Sequence, residues 1–123
     1  MTSISKFMTV LLTGFMLLTM ASMSRAETQW QKDHPRRTQV NKRSNNQKRR
    51  INQGVKNGTL TKQQAGQLRK ENRQTRQEER DMAAQNGGHI TKQEQKTLNQ
   101  QENKESRQIY DEKHPAPAQT GNQ

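Results

Sequence analysis

The sequence predicts an all-α chain of two helix-turn-helix repeats, forming a long helical hairpin or a three-helix arrangement, with a disordered N-terminal basic arm and a disordered C-terminal tail. The first observation behind this is an internal repeat. Asn57-Gly58-Thr59-Leu60-Thr61-Lys62-Gln63-Gln64, with Leu68 beyond it, matches Asn86-Gly87-Gly88-His89-Ile90-Thr91-Lys92-Gln93-Glu94, with Leu98 beyond it. The second is that each copy runs from a glycine turn through a branched apolar residue to Thr-x-x-Gln or Thr-x-x-Glu. At that spacing a threonine hydroxyl and the third following side chain cap each other's backbone N–H groups at a helix start. The third is composition: the segments after the turns are rich in Gln, Glu, Lys and Arg, which keep their rotamer freedom in a helix and need little burial.

Taken from the N-terminus, residues 1–26 read as a cleaved export signal. Lys6 gives a positive start, residues 7–20 form a nearly unbroken apolar run, and Ser24-Arg25-Ala26 places small residues where a signal peptidase reads them. The run is short for a membrane span and no Cys follows it to take a lipid anchor, so the expected location is periplasmic or secreted. Residues 27–40 read as a mobile basic arm, because Pro35 restricts the residue before it and Val40 is the lone aliphatic residue before Ile51. Helices are expected over about 41–55, from Lys62 to about Gln85, and from Lys92 to about Lys113. Thr61 with Gln64, and Thr91 with Glu94, are the expected helix-capping pairs. Leu60 stands where it can staple onto Ala65, whereas Ile90 faces only the stem of Gln95. Residues 114–123, from His114-Pro115-Ala116-Pro117 onward, have no periodic apolar face and read as a disordered tail.

The candidate core is short: Ile51 and Val55 on the first helix, Leu60, Ala65, Leu68 and Met82 around the second, and Ile90, Leu98, Ile109 and Tyr110 around the third. So few anchors on long helices favour a homodimer, or a hairpin that firms up on binding. The chain has no cysteine, which excludes disulfide staples, thiol catalysis and Cys-based metal sites.

Charge is the strongest functional signal. Residues 27–50 carry eight basic residues against two acids, residues 51–80 seven against three, and residues 81–123 five against six. A chain polarised in this way seeks polyanions. Lys42, Arg43, Lys48, Arg49, Arg50 and Lys56 cluster on the expected first helix and point to phosphate or sulfate groups. Trp30 adds a ring suited to a base or a lipid headgroup interface. The expected partners are therefore anionic polymers or membrane surfaces: lipopolysaccharide, anionic lipid or extracellular nucleic acid read without sequence specificity.

Other chemistries find less support. His34, His89 and His114 are scattered, with no ligand or carboxylate at a shared helical spacing, and read as solvated loop residues. No serine sits in a nucleophile motif, and Glu78, Glu79 and Asp81 share their helix with Arg76 and Arg80, so the chain is not expected to be an enzyme or to hold a cofactor. The turns imitate a calcium loop: Gly88, Thr91 and Glu94 fall at its sixth, ninth and twelfth positions. The first, third and fifth fall on Ala83, Gln85 and Gly87, which supply no carboxylate; a degenerate EF-hand-like calcium sensor stays as a minor alternative with no metal expected.

Two resemblances complete the reading. Arg50-Ile51-x-x-Gly54-Val55-x-x-Gly58-x-Leu60-Thr61, then Gly88-x-Ile90-Thr91-x-x-Glu94, then Ser106-Arg107-Gln108-Ile109-Tyr110-x-x-Lys113-His114, resembles a group of small exported bacterial helical proteins of unassigned function. Leu60-Thr61-Lys62-Gln63-Gln64 is similar to the LTxxQ motif of periplasmic stress proteins. That similarity implies an alternative function, an ATP-independent periplasmic chaperone or stress adaptor that holds unfolded client proteins.

Overall fold

A computed structural model describes residues 26–117. The expected export signal therefore lies outside the described residues except for Ala26, and so do positions 118–123 of the expected tail. The described secondary structure is all helical: α1 (Gln29–Asp33), α2 (Pro35–Lys56), α3 (Lys62–Gln85) and α4 (Lys92–Lys113). α2, α3 and α4 each pack against the other two, which makes a three-helix bundle rather than an open hairpin; α1 rests on α2.

Three helices begin with a complete capping box. Thr61 Oγ1 accepts from Gln64 N while Gln64 Oε1 accepts from Thr61 N at 2.9 Å, and Thr91 and Glu94 repeat the arrangement on α4. The third box, Thr28 with Gln31, starts α1. Leu60 and Ala65 share one apolar cluster, as a staple requires. The turn before α4 depends on Gly87 and Gly88, both at positive φ (62° and 92°), with Gly88 N returning 2.8 Å to Ala83 O to close the end of α3.

The mobile arm expected over residues 27–40 is corrected by this structure. Pro35 is the first residue of α2, where its fixed φ suits a helix start and its missing N–H has no partner to lose. Thr38 and Val40 are buried, and Arg37 is tied to Glu79 and to Gly88 O. α2 therefore begins six residues before position 41.

From Val40 onward the buried positions on α2 (Val40, Ser44, Gln47, Ile51, Gly54) step by four and three along the helix, as a packed helical seam does. The apolar core is divided in two. Ile51, Leu60, Ala65, Leu68 and Ile109, with Val55 against them, fill one end; Val40, Ala83, Ile90 and Leu98, with Met82, fill the other. Tyr110, expected in the core, is 57 % exposed and stacks on His114.

Polar side chains occupy the layers between the two clusters: Ser44, Gln47, Asn72, Thr75, Glu79, Glu102 and Glu105 are all buried. Asn72 organises them, bonding Ser44, Gln47 and Glu105, while Thr75 donates to Glu105. Glu102 is fully buried, and its oxygens lack a hydrogen bond; Arg43 Nε lies 3.2 Å from Oε2. Burial pushes the Glu102 carboxyl up to about 7 against the pull of Arg43, with Glu105 adding to the rise. Glu105 is raised too, chiefly by burial and against the hydrogen bonds from Thr75 and Asn72.

Candidate polyanion interface

The bundle sorts its surface cations by which seam they lie on. On the α2–α4 seam, arginines reach across to α4: Arg43 pairs with Glu102 and donates to Asn99 and Asn103, and Arg50 donates to the neutral acceptors Ser106 Oγ at 2.7 Å and Ser106 O at 3.2 Å. The α3–α4 seam is acidic, a groove of about 260 Å³ whose lining includes Glu71, Glu78 and Glu105 beside Lys104.

The α2–α3 seam is different. Arg69 donates to Asn52 Oδ1 at 2.9 Å and Arg76 to Asn45 Oδ1 at 3.3 Å, both across the helix junction. An amide oxygen orients a guanidinium without neutralising it, so these arginines are held in place with their charge intact. Lys48, Arg69, Arg73 and Arg76 ring a notch of about 150 Å³ floored by Ile51 and Asn72. A shallow trough of about 680 Å³ adjoins it along α3, lined by Lys70, Arg73, Gln74, Arg76, Gln77 and Arg80. None of the basic residues in either recess has an ion-pair partner among the described residues, whose three ion pairs are Arg37–Glu79, Lys42–Glu27 and Arg43–Glu102. The apposed like charges repel one another and leave a concentrated positive potential on one side of the rod.

The basic cluster read from the sequence is thus divided. Lys48 lies at the notch, and Arg49 is exposed and bonds Asn46. Lys56 is exposed in the last turn of α2. Arg43 and Arg50 are committed to α4, and Lys42 is joined to Glu27 at 2.9 Å. Trp30 does not join the cluster: its ring stacks on His34 (centroids 4.6 Å apart), His34 stacks on His89 (4.5 Å), and the Arg37 guanidinium sits 5.2 Å from the indole centre. The expectation of solvated histidines is corrected here for His34, which is half-buried between Trp30 and His89; His89 is exposed, and the stacked rings join α1 to the α3–α4 turn. Arg69, Arg73, Arg76 and Arg80 were absent from the sequence-based cluster, although their spacing of four, three and four residues places them on one helix face.

The two Thr-x-x-Gln/Glu motifs are occupied by structure. Both Glu94 oxygens accept from Asn86 Nδ2 at 3.0 Å and Oε2 also accepts from Thr91 N; the backbone bond from Thr91 is the main influence holding this carboxyl below its ordinary range. Among the described residues no group of three or more His, Asp or Glu side chains is gathered to hold a metal ion, and no helix is long and apolar enough to cross a membrane. No protein family, curated protein or solved structure matches the chain.

Proposed function

We propose that this chain is a non-enzymatic, exported basic protein that binds anionic polymers or surfaces through the α2–α3 face. The observation that carries the reading is that Lys48, Arg69, Arg73 and Arg76 line one notch without a carboxylate partner, Arg69 and Arg76 being held by the amides of Asn52 and Asn45. Elsewhere in the same bundle basic side chains do meet carboxylates, Arg37 at Glu79 and Arg43 at Glu102. The client-holding alternative needs an exposed apolar surface, and the large exposed hydrophobic residues among those described are Trp30 and Tyr110, both already stacked on histidines.

The test is a titration of residues 27–123 with duplex DNA as a generic polyanion over a range of salt. Each phosphate neutralised contributes a slope of about −0.9 in log K against log salt. Replacing Lys48, Arg69, Arg73 and Arg76 together by glutamine is expected to flatten the slope by about 3 to 4. A slope equal to that of the unsubstituted protein would contradict the assignment.

A further inference from the structure

The notch and the trough share Arg73 and Arg76, so a ligand that fills one runs into the other. The notch is a recess of about 150 Å³ between α2 and α3 with one lysine and three arginines in its lining, which suits an anionic group carried on a protruding arm. In-chain phosphodiesters of a stiff duplex are set into the wall of a cylinder and do not project in this way. A pendant phosphate or sulfate monoester does.

The trough beside it mixes cations with neutral amides. From Lys70 to Arg80 it extends about 15 Å along α3, taking the helical rise per residue. Gln77 is engaged by Asp81 and Arg80, whereas Gln74 makes no hydrogen bond to another described residue, and its amide offers both a donor and an acceptor to a ligand. Asn45 and Asn52 spend their oxygens on Arg76 and Arg69, which directs their NH₂ groups elsewhere. Amides interleaved with cations suit a chain of hydroxyl groups that also carries charge. No aromatic side chain lines either recess to stack a base, and no exposed apolar side chain lines them to enter a bilayer.

We infer that the ligand of this face is an acidic glycan, whose pendant phosphate or sulfate monoester enters the notch of Lys48, Arg69, Arg73 and Arg76 while its hydroxyls lie along the trough against Gln74. This rests on the α2–α3 face being a polyanion site and adds the class of polyanion.

The experiment compares four probes by calorimetry on residues 27–123: a heparin octasaccharide, a phosphorylated mannan fragment, linear polyphosphate of matched charge, and duplex DNA. At about 0.15 M salt, where long-range attraction is screened beyond about 8 Å, the two glycans are expected to bind at least tenfold more tightly than polyphosphate or DNA. Whichever glycan binds more tightly identifies the ester. Gln74→Ala is expected to weaken glycan binding about 3- to 10-fold, the range of one neutral hydrogen bond, and to leave polyphosphate unchanged. Lys48→Ala with Arg69→Gln is expected to erase the preference for a pendant ester. Equal binding of polyphosphate and glycans, or a Gln74→Ala variant that binds glycan as the parent does, overturns the glycan assignment while leaving the polyanion face standing. Failure of all four probes to bind overturns both.

Discussion

Glu102 should make this protein more stable in mild acid than at neutral pH, the reverse of what surface carboxylates produce. Its side chain is fully buried, its oxygens have no hydrogen-bond donor, and burial holds its carboxyl at about 7, compared with 4.5 for a solvated one. Between those two values the folded state binds more protons than the unfolded state, so stability falls as pH rises through that window and is constant above it. The full difference corresponds to about 3 kcal/mol. Glu105, raised for the same reason, acts in the same direction. Urea unfolding followed by circular dichroism at about pH 5 and about pH 8 measures the loss directly. The decisive comparison is with Glu102→Gln, which mimics the protonated acid and is expected to remove most of the difference. Parallel pH profiles for the two proteins would refute the reasoning.

Other consequences of the packing are equally open to measurement. Glu102→Leu should raise stability near pH 8 by about 1–3 kcal/mol, since a buried charge is replaced by an apolar group while Arg43 keeps Asn99 and Asn103; a loss in urea unfolding would show that the ion pair is worth more than its desolvation. Gly66→Ala and Gly54→Ala should move thermal stability in opposite directions. The first gains about 1 kcal/mol of helix propensity in open space, whereas a Cβ at position 54 would lie 2.6 Å from Leu60 Cδ1, at a packing cost of about 1–3 kcal/mol that outweighs the same gain. Val40→Ala should cost about 2 kcal/mol by chemical denaturation, where a mobile arm would register nothing. Thr91→Ala should cost about 1 kcal/mol by removing one reciprocal cap of α4, and an unchanged unfolding midpoint would deny the box that role.

The helices were legible wherever the chemistry of a boundary is local. Thr61 and Thr91 announce α3 and α4 because a capping box needs only four adjacent residues, and the same letters at Thr28-Gln29-Trp30-Gln31 announce α1 to a reader who applies the rule once more. The start of α2 was hidden because Pro35 is a breaker inside a helix and a good first residue of one, and only the burial of Thr38 and Val40 decides between the two roles. The seam was hidden by its own polarity. Ser44, Gln47, Asn72 and Thr75 occupy positions where an apolar stripe is expected, and hydrogen bonds between helices satisfy them there; Glu102 is interior beside them with Arg43 as its ion-pair partner.

The candidate interface was legible as charge but not as a place. Lys48, Arg43 and Arg50 lie within one run of sequence, yet they diverge onto different seams, and the residues that complete the notch come from α3. Which basic side chains keep their charge unpaired depends on contacts across helices: Asn45 for Arg76, Asn52 for Arg69, Glu102 for Arg43. No spacing rule within one helix contains that information.

Amide chemical-shift mapping of residues 27–123 titrated with a heparin octasaccharide tests the α2–α3 assignment at the level of single residues. Shifts are expected over residues 45–52 of α2 and 69–80 of α3, saturating together and fading as salt is raised. A footprint centred on the lysines of α4, at Lys92, Lys96 and Lys104, or spread evenly over every basic residue, would contradict it.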